Sequence, residues 1–216
     1  MKTLLTLVLA AATGAAAEHP TPAAAAKPAE AKVEAKPADP TVEKLVLEDQ
    51  FGRRQDLATF RGDVVILVYG DRRANEACKE FGEKLHVLFH PTAAGLPAAK
   101  ARTAPVAPLP GVAAGSRSPD VFVVPVAAAG KVPGVVKDLI RSQVKSACPD
   151  VPVWLDFSGV MEKNYGLRAG QPNVVVFDAA GRVRLKVAGT PDQAANEKLL
   201  QTVQNLRAEA AGIAGK

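Results

Sequence analysis

The side chains best able to do covalent chemistry are two thiols, Cys78 and Cys148. They stand too far apart along the chain to form a Cys-x-x-Cys redox centre. A cysteine acts through its thiolate, which a helix N-terminus or neighbouring cations favour. Cys78 has such neighbours: Arg72 and Arg73 precede it and Lys79 follows it, near the start of a helical segment. Asp71, Arg72 and Arg73 form a charged cap there that can bind an anion or a partner, although a solvated helix start explains the same residues more simply. His86 and His90 stand at i, i+4, the spacing of a metal pair. No Glu follows His86 and no third ligand is evident, so no metal or cofactor is expected. No Ser-His-Asp set, phosphate loop or paired-Cys zinc spacing is present.

Composition narrows the partners. The formal net charge is +5, from 27 basic and 22 acidic residues, and the basic ones are scattered in pairs. Nucleic-acid binding would need a basic stripe with aromatic residues beside it, so no nucleic acid is expected. Met1-Lys2, an apolar run from Thr3 to Ala12, and Ala15-Ala16-Ala17 before Glu18 make the three-part pattern of a secretory signal over residues 1–17. The run is shorter than the roughly 20 apolar residues a bilayer span needs. A periplasmic or secreted protein with no transmembrane segment after signal removal is therefore expected. Residues 18–40 repeat Ala, Pro, Lys and Glu with little apolar bulk, and read as a disordered linker.

Folding signals occupy residues 41–212. Short or buried strands are expected at Lys44–Glu48, Val64–Tyr69, Val121–Val126, Val151–Leu155, Pro172–Asp178 and Val183–Val187. Helices are expected at Ala74–Leu88, Pro133–Ala147, Gly159–Tyr165 and Asn196–Leu206. The first would turn Ala77, Phe81, Leu85 and Leu88 inward, and the second Val135, Val136, Leu139, Ile140 and Val144. Residues 92–120, rich in Ala, Pro and Gly, read as a surface insertion with a helical turn near Ala98. Alternation of this kind implies an α/β fold, a central mixed sheet covered by helices on both faces.

Three stretches resemble the redoxin branch of the thioredoxin-like superfamily. They are LEDQFGRRQDLATFRGDVVILVYG, then VWLDFSGVMEKNYGLRAGQPNVVVFDAAGRV, and the closing helix after a Gly-Thr-Pro turn. Within that branch, GDRRANEACKE and the acidic-Gly hairpin look most like the periplasmic YtfJ-like group. The resemblance implies a thioredoxin-like three-layer sandwich. It also implies that Pro172 precedes the third core strand with a cis bond from Gln171, beside an active-site surface that meets a partner chain.

Counted from Val64, the position where this superfamily carries Cys-x-x-Cys falls on Arg73-Ala74-Asn75-Glu76, which has no sulfur. Peroxiredoxins in the same superfamily carry Pro-x-x-x-Thr-x-x-Cys there. That motif would put Pro at Gly70, Thr at Ala74 and the thiol at Ala77, one residue before Cys78. The resemblance places Cys78 and Cys148 at opposite sheet edges and on opposite faces, which argues against a disulfide between them. Two functions remain. One is a binding or redox-associated module of the cell envelope that meets another envelope protein through Asp71, Arg72, Arg73 and Pro172. The other is a one-cysteine peroxidase using Cys78.

Overall fold

A computed structural model describes residues 32–35, 41–113 and 115–213. The expected signal segment lies outside those residues. The strands are β1 (Lys32–Ala35), β2 (Val46–Asp49), β3 (Arg54–Asp56), β4 (Val64–Gly70), β5 (Val121–Ala128), β6 (Trp154–Asp156), β7 (Asn173–Phe177) and β8 (Val183–Ala188). The helices are α1 (Asn75–Phe89), α2 (Ala98–Ala101), α3 (Gly134–Ala147), α4 (Val160–Tyr165) and α5 (Gln193–Ala210). One 8-stranded sheet takes the order β1-β8-β7-β4-β5-β6-β2-β3. Strands β4, β5 and β6 run parallel, and every other neighbouring pair is antiparallel.

The β-branched run Val64–Tyr69 lies near the middle of this sheet, every residue buried. Its alternation divides the core. Val64, Ile66 and Val68 face Leu85 and Phe89 of α1 and Leu199, Val203 and Leu206 of α5. Val65, Leu67 and Tyr69 face Trp154, Phe177, and Met161 and Tyr165 of α4. This is the expected mixed sheet with helices on both faces.

Helix α3 corrects two expectations. Trp154 belongs to the α4 face, so Leu155 points the other way, and α3 covers it with Ile140 and Val144. Helix α3 thus lies on the same face as α1. The strand order β4-β5-β6 requires this, because two successive right-handed crossovers in one direction use one face. As the end element of its layer, α3 buries only a narrow stripe. Val135 is 85% exposed and Leu139 56%, although both were expected inward. On α1, Leu88 is likewise exposed, and Phe89 takes the core position.

The linker expected over residues 18–40 is also interrupted, since Lys32–Ala35 adds to the sheet beside β8. Val33 packs against the α1/α5 core, and Lys32 pairs with Glu34. One β-branched residue on the inner face, with charges on either side, suits an edge strand. The remainder of that expected linker lies outside the described residues.

Two hairpins use one turn design. Asp49 accepts from the backbone N–H groups of Phe51 and Arg53 and from Arg53 Nε. Asp178 accepts from those of Ala180 and Arg182 and from Arg182 Nε. Gly52 and Gly181 take the left-handed position at φ 75° and 74°, which side chains resist.

The insertion is fastened to the domain. His86 Nε2 donates to the Ala101 carbonyl at 2.9 Å. His90, 3% exposed, stacks on His86 and sets its Nε2 2.8 Å from Asp120. Arg117 pairs with Asp63. The two histidines thus clasp residues 92–120; among the described residues no metal-binding group of three includes them. A pH effect follows. Burial holds His86 below its ordinary value of 6.5, outweighing the Ala101 bond. The fold favours the neutral ring, so its contribution is complete above 6.5 and is lost as pH falls toward the folded value. His86→Gln is expected to flatten the stability–pH curve just below 6.5, measured by urea midpoints; an unchanged slope would refute the assignment.

Candidate functional site

Strand β7 runs antiparallel to β4, with Asn173 opposite Tyr69. The end of β4, the start of α1 and the loop before β7 therefore meet at one sheet edge. This places Asp71, Arg72, Arg73, Cys78 and Pro172 at that edge. No helix among the described residues is long and apolar enough to cross a membrane.

Asp71 caps the helix that follows. Its Oδ1 accepts from the backbone N–H of Arg73 at 3.0 Å and of Ala74 at 3.1 Å. Both its carboxylate oxygens also accept from Gly170 N–H at 3.1 Å. Asp71 thus ties the start of α1 to the β7 loop and has little capacity left for a ligand. Arg72 and Arg73 are exposed, whereas Ala74 is completely buried. The sulfur-free stretch Arg73–Glu76 therefore spans the helix start, with Arg73, Asn75 and Glu76 facing solvent.

Cys78 lies one turn further and is half-buried. Burial pushes its thiol up to about 11; the Asp71 charge adds to the rise, and a hydrogen bond with the Asn173 backbone opposes it. The expected cationic activation is not what this thiol meets. Arg72 and Arg73 point into solvent while the nearest influential charge is the Asp71 carboxylate. Cys148 caps α3 at its far end, and both thiols are free.

Gly70 explains how Cys78 fits. A β-carbon there would stand 2.6 Å from Ala74 Cβ and 2.8 Å from Cys78 Sγ. Gly70→Ala is expected to destabilise the domain by about 1–3 kcal/mol through overpacking. An unchanged denaturation midpoint would show that the contact can relax freely.

Pro172 departs from what the resemblance implied. The described residues contain no cis peptide bond, so Gln171–Pro172 is trans, and Pro172 is buried. The next residue anchors this loop. Asn173 is wholly buried, and its Nδ2 donates to the carbonyls of Gln171, Arg168 and Tyr69 at 2.9, 3.3 and 3.4 Å. Its Oδ1 accepts from the N–H groups of Arg168 and Gly189 at 2.8 and 3.3 Å. Gln171 Oε1 in turn accepts from Thr190 N–H at 3.3 Å. These bonds close the loop on itself. Sequence reading missed Asn173, although an Asn opening the apolar run Asn173–Phe177 was a usable signal.

No family model and no curated protein matches the sequence. Solved structures do match in shape. A chain assigned as the thiol:disulfide interchange protein DsbE from Chlorobium tepidum superposes with TM-score 0.51 at 17% identity, covering 81% of this chain and 99% of that one. A chain assigned as a protein disulfide isomerase from Bacteroides thetaiotaomicron gives TM-score 0.51 at 18% identity, covering 85% and 98%. At such identities the likeness establishes architecture alone, and with the sheet order and helix placement above it means that this chain has the thioredoxin-like fold.

Proposed function

We propose that this chain is an exported redoxin-type binding module of the YtfJ-like kind, which docks another envelope protein without performing thiol–disulfide exchange. The observation that carries this reading is the thiol at the site. The helix start holds Arg73, Ala74, Asn75 and Glu76, and the sulfur nearby is Cys78, with its pKa pushed up to about 11. Nucleophilic cysteines in this setting need the opposite shift. The surface left for a partner is the exposed pair Arg72 and Arg73, with Asn75 and Gly170 beside them and Pro172 beneath.

Two measurements test the reading. Iodoacetamide at pH 7 should alkylate Cys78 about 100-fold more slowly than a free cysteine, from the rise of 9.0 to about 11. A photoreactive group at Arg73 should crosslink a discrete periplasmic protein, and Arg72→Glu/Arg73→Glu should abolish the product. Rapid alkylation, with peroxide consumption lost in Cys78→Ser, would replace this reading by the one-cysteine peroxidase. Absence of any crosslinked product would remove the docking role.

A further inference from the structure

At the opposite edge of the sheet the insertion creates a second concave surface. The tip of the β2–β3 hairpin, helix α2 and the loop leading into β6 line an open surface cleft of about 460 Å³. Small-molecule sites commonly fall between about 300 and 1,000 Å³. Phe51, Arg53, Arg102, Pro149, Asp150 and Pro152 line it.

Its walls are built before any ligand arrives. Asp49, completely buried, holds both Phe51 and Arg53 through their backbone N–H groups at 2.9 Å. It also fixes Arg53 through Nε at 3.0 Å, which lays the guanidinium over the Phe51 ring, 4.7 Å from its centroid. The Arg53 side chain is otherwise open to solvent, being 61% exposed. Gln50, 3% exposed, sets the opposite wall. Its Nε2 donates to the carbonyls of Cys148 and Val151 at 2.8 Å, and its Oε1 accepts from Val153 N–H at 2.8 Å. Arg102, contributed by the insertion, is exposed and makes no ion pair with any described residue.

We infer that this cleft binds a small organic carboxylate with an apolar body. The two guanidinium groups receive the carboxylate, because their planar forks match its geometry. The Phe51 ring and the two prolines cover the apolar part. A monoanion fits better than a phosphate dianion, because Asp150 lines the cleft and Asp49 already offsets part of the Arg53 charge. The site is remote from the Asp71–Pro172 edge and does not depend on the function proposed for it.

The test is titration of 4-phenylbutyrate into the full chain, followed by amide resonances. Shifts should centre on Phe51, Arg53 and residues 149–152. The neutral amide, 4-phenylbutyramide, should bind at least about 10-fold more weakly. Arg102→Gln should cost about 10-fold in affinity without changing thermal stability, since that side chain has no structural partner. Asp150→Asn should tighten binding about two- to threefold by removing a like charge. No localised shift at about 10 mM ligand would overturn the inference. Equal binding of the amide, indifference to Arg102→Gln, weaker binding in Asp150→Asn, or equally localised binding of inorganic phosphate would each overturn it as well.

Discussion

Asn173→Ala is expected to destabilise the domain by about 3–5 kcal/mol. Ordinary core truncation is not the cause, because little volume is lost. The substitution leaves the part-buried N–H of Arg168 and the buried N–H of Gly189 without their acceptor, Asn173 itself being 0% exposed. Each buried donor left unpaired costs about 1–3 kcal/mol. The Gln171 carbonyl also loses its 2.9 Å donor.

A second substitution separates this account from a packing effect. Asn173→Asp keeps the acceptor and the shape but turns the donor into an oxygen facing the carbonyls of Gln171 and Arg168. An ionised carboxylate there meets repulsion, so its folded pKa lies above its unfolded value. Stability should therefore rise as pH falls toward about 4, where the protonated acid can donate again. Denaturant midpoints at pH 7.5 and 4.5 check this, each relative to wild type. Equal losses at both pH values would refute the hydrogen-bond account. Loosening of the 166–171 loop should also raise the alkylation rate of Cys78, whose sulfur bonds the Asn173 backbone.

The sheet was legible because its strands announce themselves. Val64–Tyr69 and Val174–Phe177 are continuous apolar runs rich in β-branched residues, which suit a strand buried on both faces. The acidic-Gly hairpin at Asp178–Gly181 was legible for a similar reason, since Asp and Gly at fixed offsets have a local conformational meaning. What escaped depends on position within a layer. Val135 and Leu139 carry helical spacing, and spacing alone does not tell a central helix from one at the end of its layer. The anchoring role of Asn173 escaped because its partners come from three places, the 168–171 loop, Tyr69 and Gly189, which only the folded sheet edge brings together. At the candidate site, the cluster of Asp71, Arg73 and Cys78 followed from the topology. The environment of the thiol did not, because it turns on Gly70 admitting Sγ beneath it and on Asp71 turning its charge inward.

Arg207→Met is expected to cost about 2–4 kcal/mol and to release the insertion before the sheet. Arg207 is 1% exposed. Its Nε donates to the Pro119 carbonyl at 2.9 Å, and its Nη2 to Ala107 at 2.7 Å and to Ser118 Oγ at 3.2 Å. Burial holds the guanidinium below the usual arginine range, while the Asp120 charge opposes that shift. One cation on α5 thus gathers both ends of the chain's long excursion and faces the carboxylate that His90 also contacts. Methionine keeps the apolar stem but leaves two carbonyls and the hydroxyl without donors. It also leaves Asp120 with less positive charge; burial pushes that carboxylate up while His90, the Val121 N–H and Arg207 together hold it below its ordinary value, so it should titrate higher in the variant. For a domain of this size the loss corresponds to a fall of roughly 4–16 °C in Tm. Limited trypsin digestion distinguishes local release from general weakening. Cleavage should appear first at Lys100, Arg102 and Arg117, all within the insertion, while fragments containing β4 and β7 persist. Simultaneous loss of all fragments, or a Tm within 1 °C of wild type, would show that Arg207 does not hold the insertion to the sheet. The same release would carry Arg102 away from the second cleft, so Arg207→Met should also weaken 4-phenylbutyrate binding although Arg207 is not part of the cleft lining.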